Sequence, residues 1–155
     1  MDMITLTVVS AFAMGAAIPL KFTGGGNNVS PPLSWGTAPA GTQSIAILCD
    51  DPDAPIGDWV HWVLFNLPPA TAHLEAAVPR QAKLPNGAMQ GVNDYNRHGY
   101  DGPWPPPGKP HRYFFKVYAL DTKLNLTEKA HKADLLKAVQ GHILAQGQLI
   151  GTFQR

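Results

Sequence analysis

Apolar residues along this chain fall into short blocks separated by turns rich in glycine and proline. The blocks are Ile4–Val9, Ser44–Asp50, Val60–Leu67, Arg112–Leu120 and Gln148–Phe153. Blocks of this length and spacing predict the strands of an all-β sandwich. In Val60–Leu67 (VHWVLFNL) and Tyr113–Leu120 (YFFKVYAL) nearly every position is apolar, so both faces must be covered and these strands should be central. At the N-terminus Ile4, Leu6 and Val8 alternate with Thr5 and Thr7, which is strand period. One helix is predicted late in the chain: Leu135, Leu136, Val139, Ile143 and Leu144 recur at helical spacing behind Asp134, with Gly147 just beyond. That helix would cap the sandwich. The prolines of Gly26–Trp35 (GNNVSPPLSW) remove ladder donors, so this stretch reads as an ordered loop leading to a sheet edge. No repeat or linker divides residues 1–155, which read as a single domain.

Composition narrows the function classes. The 155 residues carry 12 basic and 11 acidic side chains, a formal net charge of +1, without a run of basic residues. Gripping nucleic acid depends on neutralising several phosphates at once, so nucleic acid is not an expected partner. The single Cys49 excludes an internal disulfide framework and a cysteine-rich zinc site. No apolar run reaches the ~18 residues of a membrane helix, so no integral membrane segment is expected. The apolar N-terminus imitates a signal peptide, but Asp2 carries the wrong charge and the strand alternation is the wrong pattern. A cytoplasmic location is therefore expected. The 15 glycines and 15 prolines make up about 19% of the chain, which predicts many shaped turns in a compact fold.

Candidate chemistry is found by asking which polar residues strand alternation turns inward. In Ser44–Asp51 the residues Ile45, Ile47, Cys49 and Asp51 share one face, so Asp51 continues an apolar row at the strand's end. A carboxylate there must be hydrogen-bonded or paired. Pro52-Asp53-Ala54-Pro55 then fixes two φ angles and presents Asp51 and Asp53 on a stiff corner. By the same alternation His61 shares a face with Val63 and Phe65, while Trp62 and Leu64 take the other. His111 lies in the row of Tyr113, Phe115 and Val117, again at the mouth of a strand. Two inward histidines, a tyrosine and a carboxylate at strand ends form a candidate site. The loop Gly99–Pro110 (GYDGPWPPPGKP) lies just before His111. Its prolines restrict the chain and its glycines let backbone N–H groups approach a ligand, which suits an anion pocket.

These residues carry a resemblance. DDPDAP at 50–55, DWVHWVLFNLP at 58–68, GVNDYNRHGYDGPWPPPGKPHRYFFKVYALD at 91–121 and GHILAQGQLIGTFQR at 141–155 resemble the phosphatidylethanolamine-binding protein family. The likeness is to its bacterial and archaeal, Raf kinase inhibitor-like branch, and it extends to IPLKF and NVSPPLSW near the N-terminus. The resemblance implies antiparallel sheets packed as a sandwich with a small anion pocket at one end. It implies ligand contacts from Asp51, His61, His111 and Tyr113, with Asp53, Trp59, Gly102, Pro105 and Pro106 around them. It also implies a homodimer. One departure is visible: where relatives often read YTCDG, this chain has Phe22-Thr23-Gly24-Gly25-Gly26 and so lacks a cysteine and an aspartate.

Fold does not settle function, so the site must carry the argument. The leading expectation is a non-enzymatic binding protein, without cofactor, whose partner is a small anionic ligand: phosphate or a phosphorylated headgroup. Imidazole N–H groups of His61 and His111, the Tyr113 hydroxyl and backbone amides of Gly102–Pro106 would hold it. Trp59 and Trp104 would form an apolar rim. One alternative is an inhibitor acting on a kinase or protease partner through protein–protein contact. Another is a metal-dependent hydrolase using His61, His111 and Asp51, although no metal-site spacing supports it.

Overall fold

A computed structural model describes residues 4–155; Met1–Met3, including Asp2, lie outside the described residues. The strands are β1 (Ile4–Thr5), β2 (Leu33–Ser34), β3 (Ser44–Asp51), β4 (Trp59–Leu67), β5 (His73–Leu74), β6 (Met89–Gln90), β7 (His111–Leu120) and β8 (Ile143–Phe153). One helix, α1 (Lys132–Val139), precedes β8. The main sheet has the order β1-β8-β7-β3-β4-β6, and β2 pairs with β5 in a separate ribbon. β3, β4 and β7 lie inside the sheet, as their unbroken apolar runs require.

Alternation along β3 and β7 builds a core on each side of the sheet. Ile45, Ile47, Cys49, Tyr113, Phe115 and Val117 face the larger cluster, which the N-terminal segment covers with Leu6, Val8, Phe12, Ile18 and Phe22. Ala46, Leu48, Val63, Phe65 and Leu120 face the smaller cluster, covered by Leu135 and Val139 of α1. Every residue of β3 is buried, and each large apolar side chain among them contributes roughly 1.5–3 kcal/mol. On the helix side Asp50 accepts Lys116 Nζ at 3.1 Å and Lys132 Nζ at 2.6 Å, tying the start of α1 to β3.

The architecture departs from the expected antiparallel sandwich. β1 runs parallel to β8, with Ile4 opposite Ala145, so the main sheet is mixed. The opposing layer consists of connecting segments and a ribbon of two residues per strand instead of a second full sheet. Ile4–Val9 is also shorter as a strand than its alternation suggests: pairing with β8 ends at Thr5, and Val9 bridges Ser34 instead.

The helix ends earlier than its apolar spacing predicts. Ile143 and Leu144 belong to β8, which begins five residues before the expected Gln148. Gly141 adopts a φ of +79°, breaking the helical path, and Ile143 then pairs with Leu120. A long antiparallel partner in β7 outweighs a coincidental helical period. Asp134 accepts the His131 backbone N–H at 2.9 Å and so fixes the start of α1.

Candidate functional site

Three strand ends converge on the site. Asp51 ends β3 opposite Trp59, the first residue of β4, and His111 opens β7 on the other side of β3. Asp51 continues the inward row of Ile45, Ile47 and Cys49, and His111 and Tyr113 continue that of Phe115 and Val117. His61 arrives by a different route. Trp62 opposes Cys49 and Val60 opposes Asp50, which leaves His61 as an extra residue in a β-bulge. The bulge turns His61 away from Val63 and Phe65, which pack on the helix side, and toward Tyr113, whose ring centroid is 5.2 Å away. The face assigned to His61 by simple alternation is thereby corrected.

Asp51, Trp59, His61, His111 and Tyr113, with Pro105 and Pro106, wall a cavity of about 290 Å³. Ala54 and Pro55 from the corner after β3 complete one wall. At the mouth stand Ile56, Tyr95 and Trp104, three of the large apolar side chains this protein exposes; Ile56 is 79% accessible. Sequence reasoning missed Tyr95 and Ile56. Tyr95 sits on a turn docked to β4 by reciprocal bonds: Val60 N–H to Asp94 Oδ2 at 2.7 Å and Asp94 N–H to the Val60 carbonyl at 2.9 Å. The available signal was the Asn93-Asp94-Tyr95-Asn96 turn sequence, but nothing local reveals where such a turn docks.

The hydrogen bonds at the cavity floor are specific. Asp51 Oδ1 accepts the Asp53 backbone N–H and Oδ2 accepts His111 Nδ1–H, both at 2.7 Å. His61 Nδ1–H donates to the Asp101 carbonyl at 2.5 Å. Both histidines therefore spend Nδ1–H on the protein, so Nε2 is the ring atom each has left for a ligand. Burial lowers the His61 pKa, outweighing the Asp101 carbonyl and nearby carboxylates that favour the cation. The Tyr113 hydroxyl makes no hydrogen bond among the described residues, and none of their buried side-chain polar atoms lacks a partner. Its hydroxyl therefore opens to the cavity, and burial, followed by the Asp51 charge, pushes its pKa far up so that it remains a donor.

Asp53 and Gly102 do not line the cavity. Asp53 turns outward to Arg112, accepting Nε and Nη2 at 2.9 Å each, and these bonds hold its pKa down. Gly102 is a packing position: a Cβ there would stand 2.2 Å from the Phe22 carbonyl oxygen, and its N–H donates to Asn28 Oδ1 at 2.6 Å. Because Gly102 N–H is engaged and Pro103, Pro105 and Pro106 have none, this loop offers an anion few backbone donors. Behind it, buried Asp101 gathers Arg80, Arg97, Asn93 and Asn28. Burial alone would raise its pKa, but these donors hold it at about 2.

Gly24 and Gly25 seat Trp104, whereas Gly26 packs against the Leu20 backbone. A Cβ on Gly25 would lie 2.2 Å from Trp104 Cζ3, so the indole holds this position only beside a residue that has no side chain. Arg155 stacks over the same ring, 4.2 Å from its centroid. For the hydrolase alternative, no group of three His, Cys, Asp or Glu side chains among the described residues is arranged to hold a metal. Cys49 is buried, which raises its pKa and leaves it a core thiol.

The described residues thus form a mainly β protein whose strand ends wall a small pocket. The chain belongs to the phosphatidylethanolamine-binding protein family, whose sequence model matches residues 8–154. A UPF0098 protein of Methanothermobacter thermautotrophicus is 50% identical over 145 residues, 94% of this chain and 95% of that one. Another, from Pyrococcus horikoshii, is 41% identical over 99% of this chain and 79% of its own. Among solved structures, a phosphatidylethanolamine-binding protein homolog from Chlamydia trachomatis superposes with a TM-score of 0.88 at 36% identity, over 97% of this chain and 98% of that one. E. coli YbcL, described as a new member of the mammalian family, gives 0.88 at 33% identity with the same coverage. No helix among the described residues is long and apolar enough to cross a membrane.

Proposed function

We propose that this protein binds a small phosphate-bearing anion in the cavity between β3, β4 and β7. Family membership supports a binding protein, and one observation carries the finer reading: the Tyr113 hydroxyl and the outer edges of His61 and His111 converge, without protein partners, on a space of about 290 Å³. Asp51 orients His111 through the 2.7 Å bond to Nδ1, which leaves the Nε2 edge of the ring facing the space where the anion would sit. Ile56, Trp104 and Tyr95 flank whatever substituent the phosphate carries.

Calorimetric titration with phosphoethanolamine at pH 6, beside Asp51→Ala and His111→Ala, tests this reading. Saturable binding that both variants lose is the expected result. Absence of binding to the folded wild type would overturn it.

A further inference from the structure

The donor and acceptor inventory of the cavity restricts the form of anion it accepts. This inference deepens the preceding reading and rests on it. His61 is 2% accessible and its Nδ1–H is committed to the Asp101 carbonyl, so its neutral ring turns a lone pair, on Nε2, toward the cavity. Four side chains face that ring: Asp51 from β3, His111 and Tyr113 from β7, and Tyr95 from the turn beside β4. The Asp101 carboxylate points away, onto Arg80 and Arg97. Burial lowers the His61 pKa and so favours the neutral ring, against the Asp101 carbonyl and the charges of Asp51, Asp101 and Asp50, which pull the other way.

The rest of the floor is also rich in acceptors. Asp51 already accepts two N–H groups and has only lone pairs left to offer. His111 gives Nδ1–H to Asp51, so it presents Nε2–H only when protonated. Tyr113 supplies a hydroxyl that donates at any physiological pH, and Tyr95 adds a second phenol at the mouth. A fully deprotonated oxyanion would set its lone pairs against that of His61 Nε2, and buried acceptors facing each other are unfavourable.

We propose that the ligand is a phosphate monoester bound in its monoanionic form, with its remaining P–OH donating to His61 Nε2. A phosphate monoester has a second pKa near 6, so this proton is available close to neutral pH. Phosphodiesters and sulfate monoesters carry the same single negative charge but no such proton. His61 then discriminates the protonation state of the ligand while His111 and Tyr113 supply donors to its other oxygens.

The test compares phosphoethanolamine with ethanolamine O-sulfate at pH 6 by calorimetry; the phosphate monoanion, about half of that ester at this pH, matches the sulfate in shape and in charge. The phosphate ester is expected to bind on the order of ten- to a hundredfold more tightly, the value of one hydrogen bond in a charged site. Above pH 6 its affinity should fall about tenfold per pH unit as free monoanion is depleted. The 31P shift of the complex at pH 7.5 should remain that of the monoanion. Equal affinities for the two esters, or a dianion shift in the complex, would overturn the inference and leave the anion pocket standing. Binding of neither ester would overturn both readings. Vesicles separate the sources of the phosphate: phosphatidic acid, a monoester, should compete with phosphoethanolamine, whereas competition by phosphatidylethanolamine, a diester, as strong as the monoester's would overturn the proposal.

Discussion

Replacing Asp101 by asparagine removes the charge at the centre of the wall behind His61 while keeping its size. In the wild type Oδ1 accepts Asn28 Nδ2 and Arg80 Nη2, each at 3.0 Å, and Arg97 Nη2 as well. Oδ2 accepts Asn93 Nδ2 at 2.8 Å and Arg97 Nε at 3.1 Å. An amide keeps one acceptor and points a new donor at this ring of donors. Holding the carboxyl at about 2 against an ordinary 3.8 corresponds to about 2.4 kcal/mol at 1.36 kcal/mol per tenfold. Arg97 and Arg80 are 56% and 38% accessible, so solvent screening brings the net contribution to roughly 1–2 kcal/mol. The sign follows from a lowered native pKa: the stabilisation is full above about pH 4 and disappears as pH falls through about 2. Urea unfolding at pH 7, 4 and 2.5 measures it. Asp101→Asn should be less stable at pH 7, with about 2–4 °C of melting temperature for each kcal/mol, and the gap should close toward pH 2. A gap that stays constant from pH 7 to 2.5 would show that the charge is not its source.

Further substitutions separate packing from binding. Gly102→Ala should cost about 1–3 kcal/mol in urea unfolding, because the added Cβ meets backbone 2.2 Å away at the Phe22 carbonyl and the loop must move; a cost near zero would contradict that contact. Tyr113→Phe should weaken phosphoethanolamine binding by roughly tenfold or more with little change in melting temperature, since the hydroxyl has no protein partner to lose; unchanged affinity would place the phosphate elsewhere. Gly25→Ala should displace the Trp104 indole, which lies 2.2 Å from the new Cβ, and shift tryptophan emission, whereas the same change in a Trp104→Phe background should not.

Much of this protein was legible in its residues. Alternation along β3 and β7 placed Asp51, His111 and Tyr113 on one face, and continuous apolar runs marked β4 and β7 as inner strands, because period two and burial on both faces are local properties of a strand. Motif order indicated the family. Tertiary structure alone decided the rest. His61 joins the site through a bulge, which depends on register with β3 and leaves no mark in β4 itself. Ile143 and Leu144 satisfy a helical period, yet ten positions of β7 were waiting to pair with β8. Asp53 and Gly102 stand beside the site's residues in sequence, but the partners that turn them away, Arg112 and Phe22, lie 59 and 80 positions distant. Local patterns set which face a side chain takes. Register and long-range partners determine whether that face reaches the cavity and which of its atoms remain free for a ligand.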